Sequence, residues 1–137
     1  MGMYTEIIIK AKIQADDAMS EDVKMILNYL FNPNDKTEIL NQDGTPISGI
    51  TLPDHPFFET DRWWAIGRSS SYYHIPTTLN FFDGSYLFSR SDLKNYDYEI
   101  DLFFEWIQPY LNEDIGTCIG WSWYEETKEP TLHYKTR

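Results

Sequence analysis

Apolar residues alternate with polar ones between residues 4 and 13, with Ile7, Ile9, Ala11 and Ile13 on one side and Glu6, Lys10 and Lys12 on the other. A period of two is that of a strand with one buried face. After a turn expected over residues 16–20 the period lengthens. Val23, Ile26, Leu27, Leu30 and Phe31 recur at helical spacing, Ser20 is placed to cap the first turn, and Glu21 and Asp22 sit at the positive end of the dipole. Asn32-Pro33-Asn34-Asp35 stops this helix. From residue 32 to 61 periodicity is lost and four prolines appear, so the stretch is expected as a surface insertion, with a small turn at Asp43-Gly44.

Residues 62–67, led by Trp63-Trp64, are expected as a strand, and residues 78–82 and 85–89 as a hairpin around Asp83-Gly84. That dipeptide suits a type I′ turn, in which both central residues take positive φ. After a turn at 91–96, Asp97 is expected to cap a helix whose apolar stripe is Ile100, Phe103, Phe104, Ile107 and Leu111, ended or bent at Pro109. Residues 117–125 alternate so that Ile119, Trp121 and Trp123 share a face, and residues 131–135 pair back with Leu132 and Tyr134 on one side. The order predicts one α+β domain over residues 3–137, with residues 32–61 as its surface insertion. An antiparallel sheet carries two helices on one face, and an elaborated ferredoxin-like sandwich is the expected variant.

With 137 residues the chain is long enough for a core that needs no staples. Aromatic residues make up 17% of it, enough that some rings are expected to face solvent or a ligand. The net charge of −11 argues against unaided binding to nucleic acid or an anionic membrane and suits a basic partner. Cys118 stands alone in an apolar run, which excludes an internal disulfide and reads as an inert thiol. No 18-residue apolar run and no signal-peptide layout is present, so a soluble cytoplasmic protein is expected.

Charge is unevenly placed. Residues 1–61 hold eleven Asp and Glu against four Lys, and residues 95–126 hold eight with no basic residue at all. Between them residues 62–94 carry Arg62, Arg68, Arg90 and Lys94 against Asp83 and Asp92, together with the run Ser69-Ser70-Ser71-Tyr72-Tyr73-His74. Arg68, Ser69, Ser71, Tyr72, His74 and Arg90 are the candidate ligand-binding residues, since guanidinium forks and hydroxyls bind anions and phenol rings stack bases. Arg68 and Arg90 are expected at strand ends beside a common anion. A structural role for the arginines, as partners of Glu59, Asp61 and Asp92, competes with that reading.

Catalytic motifs are missing. His55, His74 and His133 lie on three separate elements without metal-ligand spacing, and the serine run lacks a nucleophile elbow. No catalytic residue, metal or cofactor is assigned. His74-Ile75-Pro76-Thr77 and His133-Tyr134-Lys135-Thr136 resemble the paired tetrads of two-histidine phosphoesterases, but with one residue too many to put His and Thr on one side of a strand. On the second helix Asp97, Asp101 and Glu105 fall four apart with no intrahelical cation, and are the candidate partner-binding residues.

The segments WWAIGRSSSYYHIP, LFSRSDLKNYDYEIDLFFEWIQPYL and IGWSWYEETKEPTLHY resemble a group of small proteins carried by bacteriophages and prophages, with no activity assigned. The resemblance implies a phage accessory protein, a size class that includes inhibitors of host defence. The expected function is therefore that of a non-enzymatic, acidic interaction protein in the host cytoplasm, which blocks a basic host protein by stoichiometric binding. Direct binding to nucleic acid or membrane is not expected, and assembly with its own copies is compatible with the sequence. The alternative is an anionic-ligand or nucleotide binding protein, or a phosphoesterase, centred on residues 68–74.

Overall fold

The computed structural model describes residues 3–14, 19–35 and 37–137. Strand β1 (Thr5–Lys12) is followed by helix α1 (Glu21–Phe31), and strands β2 (Phe81–Phe82) and β3 (Tyr86–Leu93) precede helix α2 (Glu99–Ile107). Strands β4 (Cys118–Tyr124) and β5 (Thr131–Tyr134) complete one five-stranded antiparallel sheet in the order β2-β3-β1-β4-β5. The fold is α+β, as the patterning predicts. The turn expected at residues 16–20 lies, up to residue 18, outside the described residues.

The period of two in β1 works as expected. Ile7, Ile9, Ala11 and Ile13 are buried, and they meet Val23, Ile26, Leu27 and Leu30 of α1 and Ile100, Phe103 and Phe104 of α2 in one core. The Ser20 hydroxyl accepts from the Val23 N–H, so α1 starts where its cap predicts. In α2 Ile100, Phe103, Phe104 and Ile107 are buried, and the helix gives way at Ile107 to a 3-10 turn through Pro109.

Five local expectations are corrected. Residues 63–65 form a 3-10 turn rather than a strand, because buried Trp63 packs edge-on against Phe57 and Phe58 and the Ala65 N–H bonds back to the Arg62 carbonyl. Residues 77–79 are likewise a 3-10 turn, and β2 has only two residues. The Asp83-Gly84 turn has positive φ at Gly84 alone, so it is not type I′. Four residues separate the paired Phe82 and Leu87, and the Asp83 carboxylate organises them by accepting from the N–H groups of Ser85 and Tyr86. β3 runs on through the turn expected at 91–96 as far as Leu93, since its register against β1 is unbroken from Tyr86 to Leu93. α2 is not capped by Asp97. Tyr98 stands at the N-cap in the left-handed region, and the Asn95 carboxamide and the buried Glu99 carboxylate bind the free N–H groups around the helix start.

The stretch from 32 to 61 is only partly a surface insertion. Residues 41–45 are exposed and closed by the Leu40–Pro46 bridge, whereas Ile39, Phe57 and Phe58 enter the core. Phe57 lies 5.6 Å from Phe103 and 5.7 Å from Trp106, ring centre to ring centre, so this end of the segment is a third layer packed on α2. Rings in such contact are worth about 0.5–1.5 kcal/mol per pair beyond their burial. Among the described residues no helix is long and apolar enough to cross a membrane.

Candidate functional site

Antiparallel partners point to the same side, so the register of the sheet assigns its second face. Opposite Glu6, Ile8, Lys10 and Lys12 of β1 stand Asp92, Arg90, Phe88 and Tyr86 of β3, and opposite Phe88 stands Phe81 of β2. On the other flank Trp123 and Trp121 of β4 face Glu6 and Ile8, and Leu132 of β5 faces Trp121. Among the described residues no helix covers this side. Phe81, Tyr86, Phe88, Trp123, Leu132 and Tyr134 are all exposed. The Lys10 ammonium stands 5.9 Å from the centre of the Trp121 ring.

A bulge decides which β4 rings reach this face. Cys118 pairs with Tyr134 but Gly120 pairs with His133, so one extra residue, Ile119, enters β4. Ile119 turns into the core while Trp121 and Trp123 face outward, against the expectation that the three share a side. Gly120 is required here because a side chain on it would strike the Ile8 carbonyl.

One end of the open face is roofed by the hydroxyl-rich loop. Asp92 points outward by register yet is fully buried, because residues 69–75 fold over it. Its carboxylate accepts from the Ser70 hydroxyl at 2.7 Å and from the N–H groups of Tyr72 and Tyr73, both at 3.1 Å. Ser70 in turn accepts from the Ile75 N–H, and its carbonyl takes the N–H of His74, which closes the turn at positive φ. Tyr72 is carried onto Tyr4, stacked at 5.3 Å and 9°. Hydrogen bonding to the Glu125 carboxylate keeps the Tyr72 phenol above its ordinary pKa. Tyr73, against the edge of Tyr72, is also raised, by desolvation and then by the carboxylates of Glu6, Glu125 and Asp92.

The candidate ligand residues do not form one anion site. Arg68 donates to the Tyr29 carbonyl at the end of α1, stacks 3.8 Å over the Tyr29 ring and pairs with Glu38 at 3.6 Å. It lines a cavity of about 320 Å³ with Asp35, Glu38 and Asn80. Arg90 is on the open face, where Glu6 holds two of its nitrogens at 2.6 and 2.8 Å. The arginines are thus held by different carboxylates, and neither is the Glu59, Asp61 or Asp92 that the sequence suggests. Ser69 and Ser71 bond to one another at 3.3 Å, and His74 is exposed.

The acidic residues of the second helix are also dispersed. Asp97 precedes α2 and accepts from the Asp61 N–H, Glu105 lies 3.8 Å from His55, and Asp101 is exposed. His133 faces the helices, its ring stacked on Phe104 at 4.1 Å and its Nε2 2.9 Å from the Ser122 hydroxyl. Burial lowers its pKa, against the pull of Asp101. His133 and His74 therefore serve opposite sides of the sheet, and the two tetrads do not converge.

The residues that the sequence did not single out are Phe81, Phe88, Lys10 and Trp121. Alternation along each strand marks them as outward, but only the strand order sets them side by side. Comparison with protein-family models, with characterised proteins and with solved structures found no match.

Proposed function

We propose that this chain is a non-enzymatic binding protein whose working surface is the open face of the sheet. The exposed rings on β2, β3, β4 and β5, flanking Lys10 of β1, carry the reading, because rings left in water over much of a sheet face cost solubility unless something covers them. The architecture suits such a role. Helices α1 and α2 and the Phe57 layer fix the strands from behind, and a rigid sheet loses little freedom on binding. Phage or prophage origin, and action by covering the surface of a host macromolecule, are part of this proposal and are supported by the resemblance of the three segments quoted above. Phe88→Asp would test it. Immobilised wild-type protein should retain a component of a host lysate that the folded variant does not. Equal retention by both, or none by either, would reject the open face as the working surface.

A second reading is favoured by Asp101, which is exposed and has no hydrogen-bond or ion-pair partner among the described residues. In it a basic protein docks on the acidic helix side, and the sheet face plays no part.

A further inference from the structure

The exposed charges on the strands of the open face are of one sign, while the half-buried Glu125 carboxylate is held at the roofed end by the Tyr72 phenol and the Tyr4 N–H. Lys10, Lys12 and Arg90 are exposed strand residues, whereas the carboxylates Glu6 and Asp92 on the same side are buried, the first against Arg90 and the second under its loop. In a chain of net charge −11 this is the reverse of the average. A basic protein would be repelled here. An anion would be drawn in.

The rings narrow the choice of anion. Across β2, β3 and β1 one row reads Phe81, Phe88, Lys10, and the row beside it across β5, β4, β1 and β3 reads Leu132, Trp121, Ile8, Arg90. Neighbouring strands stand about 4.8 Å apart and like-facing residues along a strand about 6.8 Å. Flat rings and cations are therefore interleaved within the reach of successive nucleotides. Bases stack on the rings, phosphates meet the ammonium groups, and no sequence-specific hydrogen bonding is required. An acidic peptide would satisfy the lysines but leave the faces of Phe81 and Phe88 with no planar partner. A duplex would satisfy the lysines too, but its bases are already stacked.

We infer that the open face binds single-stranded nucleic acid, with Phe81, Phe88 and Trp121 stacking bases and Lys10, Lys12 and Arg90 lying along the phosphates. The inference rests on the reading of this face as the working surface. The net charge limits the affinity, and the local charge sets its salt dependence. Neutralising two or three phosphates of a single strand gives a slope of log K against log salt of about −1.4 to −2.1.

The test is fluorescence anisotropy of the intact protein with labelled twelve-residue oligo-dT and oligo-U at low salt. Saturable binding is expected, weaker for a duplex of equal length. Phe81→Ala and Phe88→Ala, both at exposed positions, should each weaken it about tenfold while circular dichroism stays unchanged. Lys10→Ala should make the salt slope shallower by about 0.7. Absence of saturable binding to both oligonucleotides, equal binding by folded Phe88→Ala, or preference for the duplex would overturn the inference. If the oligonucleotides fail while a lysate component is still lost with Phe88→Asp, the ligand class is wrong and the working surface stands. If both fail, the working surface is wrong as well.

Discussion

β1 and β3 each build two surfaces at once, and the two are furnished differently. Toward the helices they present Ile7, Ile9, Ala11 and Leu87, with Ser89 and Ser91 between them. Toward solvent they present Ile8, Lys10, Lys12, Tyr86, Phe88 and Arg90. The inner set consists of side chains that interlock with helices and tolerate no gap. On the outer set, by contrast, rings are too exposed to contribute full burial and are separated by cations that no core would accept. Apolar content alone does not tell the two apart, since both faces are rich in it. What distinguishes them is shape and charge: the inner side of these two strands meets the helices with aliphatics and no charge, whereas flat rings between lysines fit a ligand with a plane and a negative charge.

The sharpest way to break the comparison is to truncate a ring on each side. Phe103 is fully buried and touches Phe31, Phe57 and Phe104, so Phe103→Ala should cost about 3–5 kcal/mol in urea unfolding, near the whole stability of many domains. Phe88→Ala should cost under about 1 kcal/mol. Similar losses at both sites would show the outer rings to be structural and remove the ground for a binding face.

Next in size is Asp92, where the outer face is closed over rather than open. Asp92→Ala strands the Ser70 hydroxyl and the N–H groups of Tyr72 and Tyr73, and should cost about 2–3 kcal/mol. Residues 69–75 should become susceptible to limited proteolysis before α1 does. If cleavage still begins elsewhere, the loop is held by the Tyr72–Tyr4 stack and not by the carboxylate.

These cases also show what could be read from the chain. The periods of two and 3.6 residues located β1, α1 and α2 and their buried stripes, because burial on one side imposes its repeat on the sequence. Trp63-Trp64 misled, since β propensity reflects packing on a sheet and Trp63 packs on Phe57 and Phe58 instead. At Ile119 the alternation fails across a bulge, for which Gly120 in the middle of a strand pattern was the local signal. The seam of residues 62–94 was legible as a chemical anomaly, yet its purpose was not. Arg68 and Arg90 lie 22 positions apart in sequence and only the tertiary structure shows that Glu38 takes one and Glu6 the other.

A smaller effect separates the sides by pH. His133 is on the helix side with its pKa lowered by burial, so the folded protein favours the neutral ring. An unfolded histidine titrates at about 6.5. Above that pH neither state binds the proton and the stabilisation is complete. Below it the unfolded chain takes up a proton that the folded chain resists, so stability falls until the folded pKa is reached. The urea midpoint should therefore drop more between pH 7.5 and 5.5 in the wild type than in His133→Gln. Equal slopes would place the acid sensitivity elsewhere.

The smallest effect on folding falls on the acidic helix side, and it bears directly on which surface binds. With Asp97 outside α2, the acidic stripe reduces to Asp101 and Glu105, four residues apart on one face. Like charges at that spacing cost about 0.2–0.5 kcal/mol. Glu105 recovers part of this from His55 when that ring is protonated, but Asp101 has no ion-pair partner among the described residues. Replacing both with Lys should therefore leave the unfolding midpoint almost unchanged. The consequence for binding is where the two surfaces diverge. If the helix side holds a basic partner, the double variant reverses an attraction and lowers the association rate steeply, most of all at low salt. If the open sheet face holds an anion, the same substitutions reduce the net charge from −11 toward −7 without touching the face, and binding should become slightly tighter at low salt. Opposite signs are expected from one protein sample, so measuring retention of the same ligand by wild type and double variant assigns the contact to one side of the molecule.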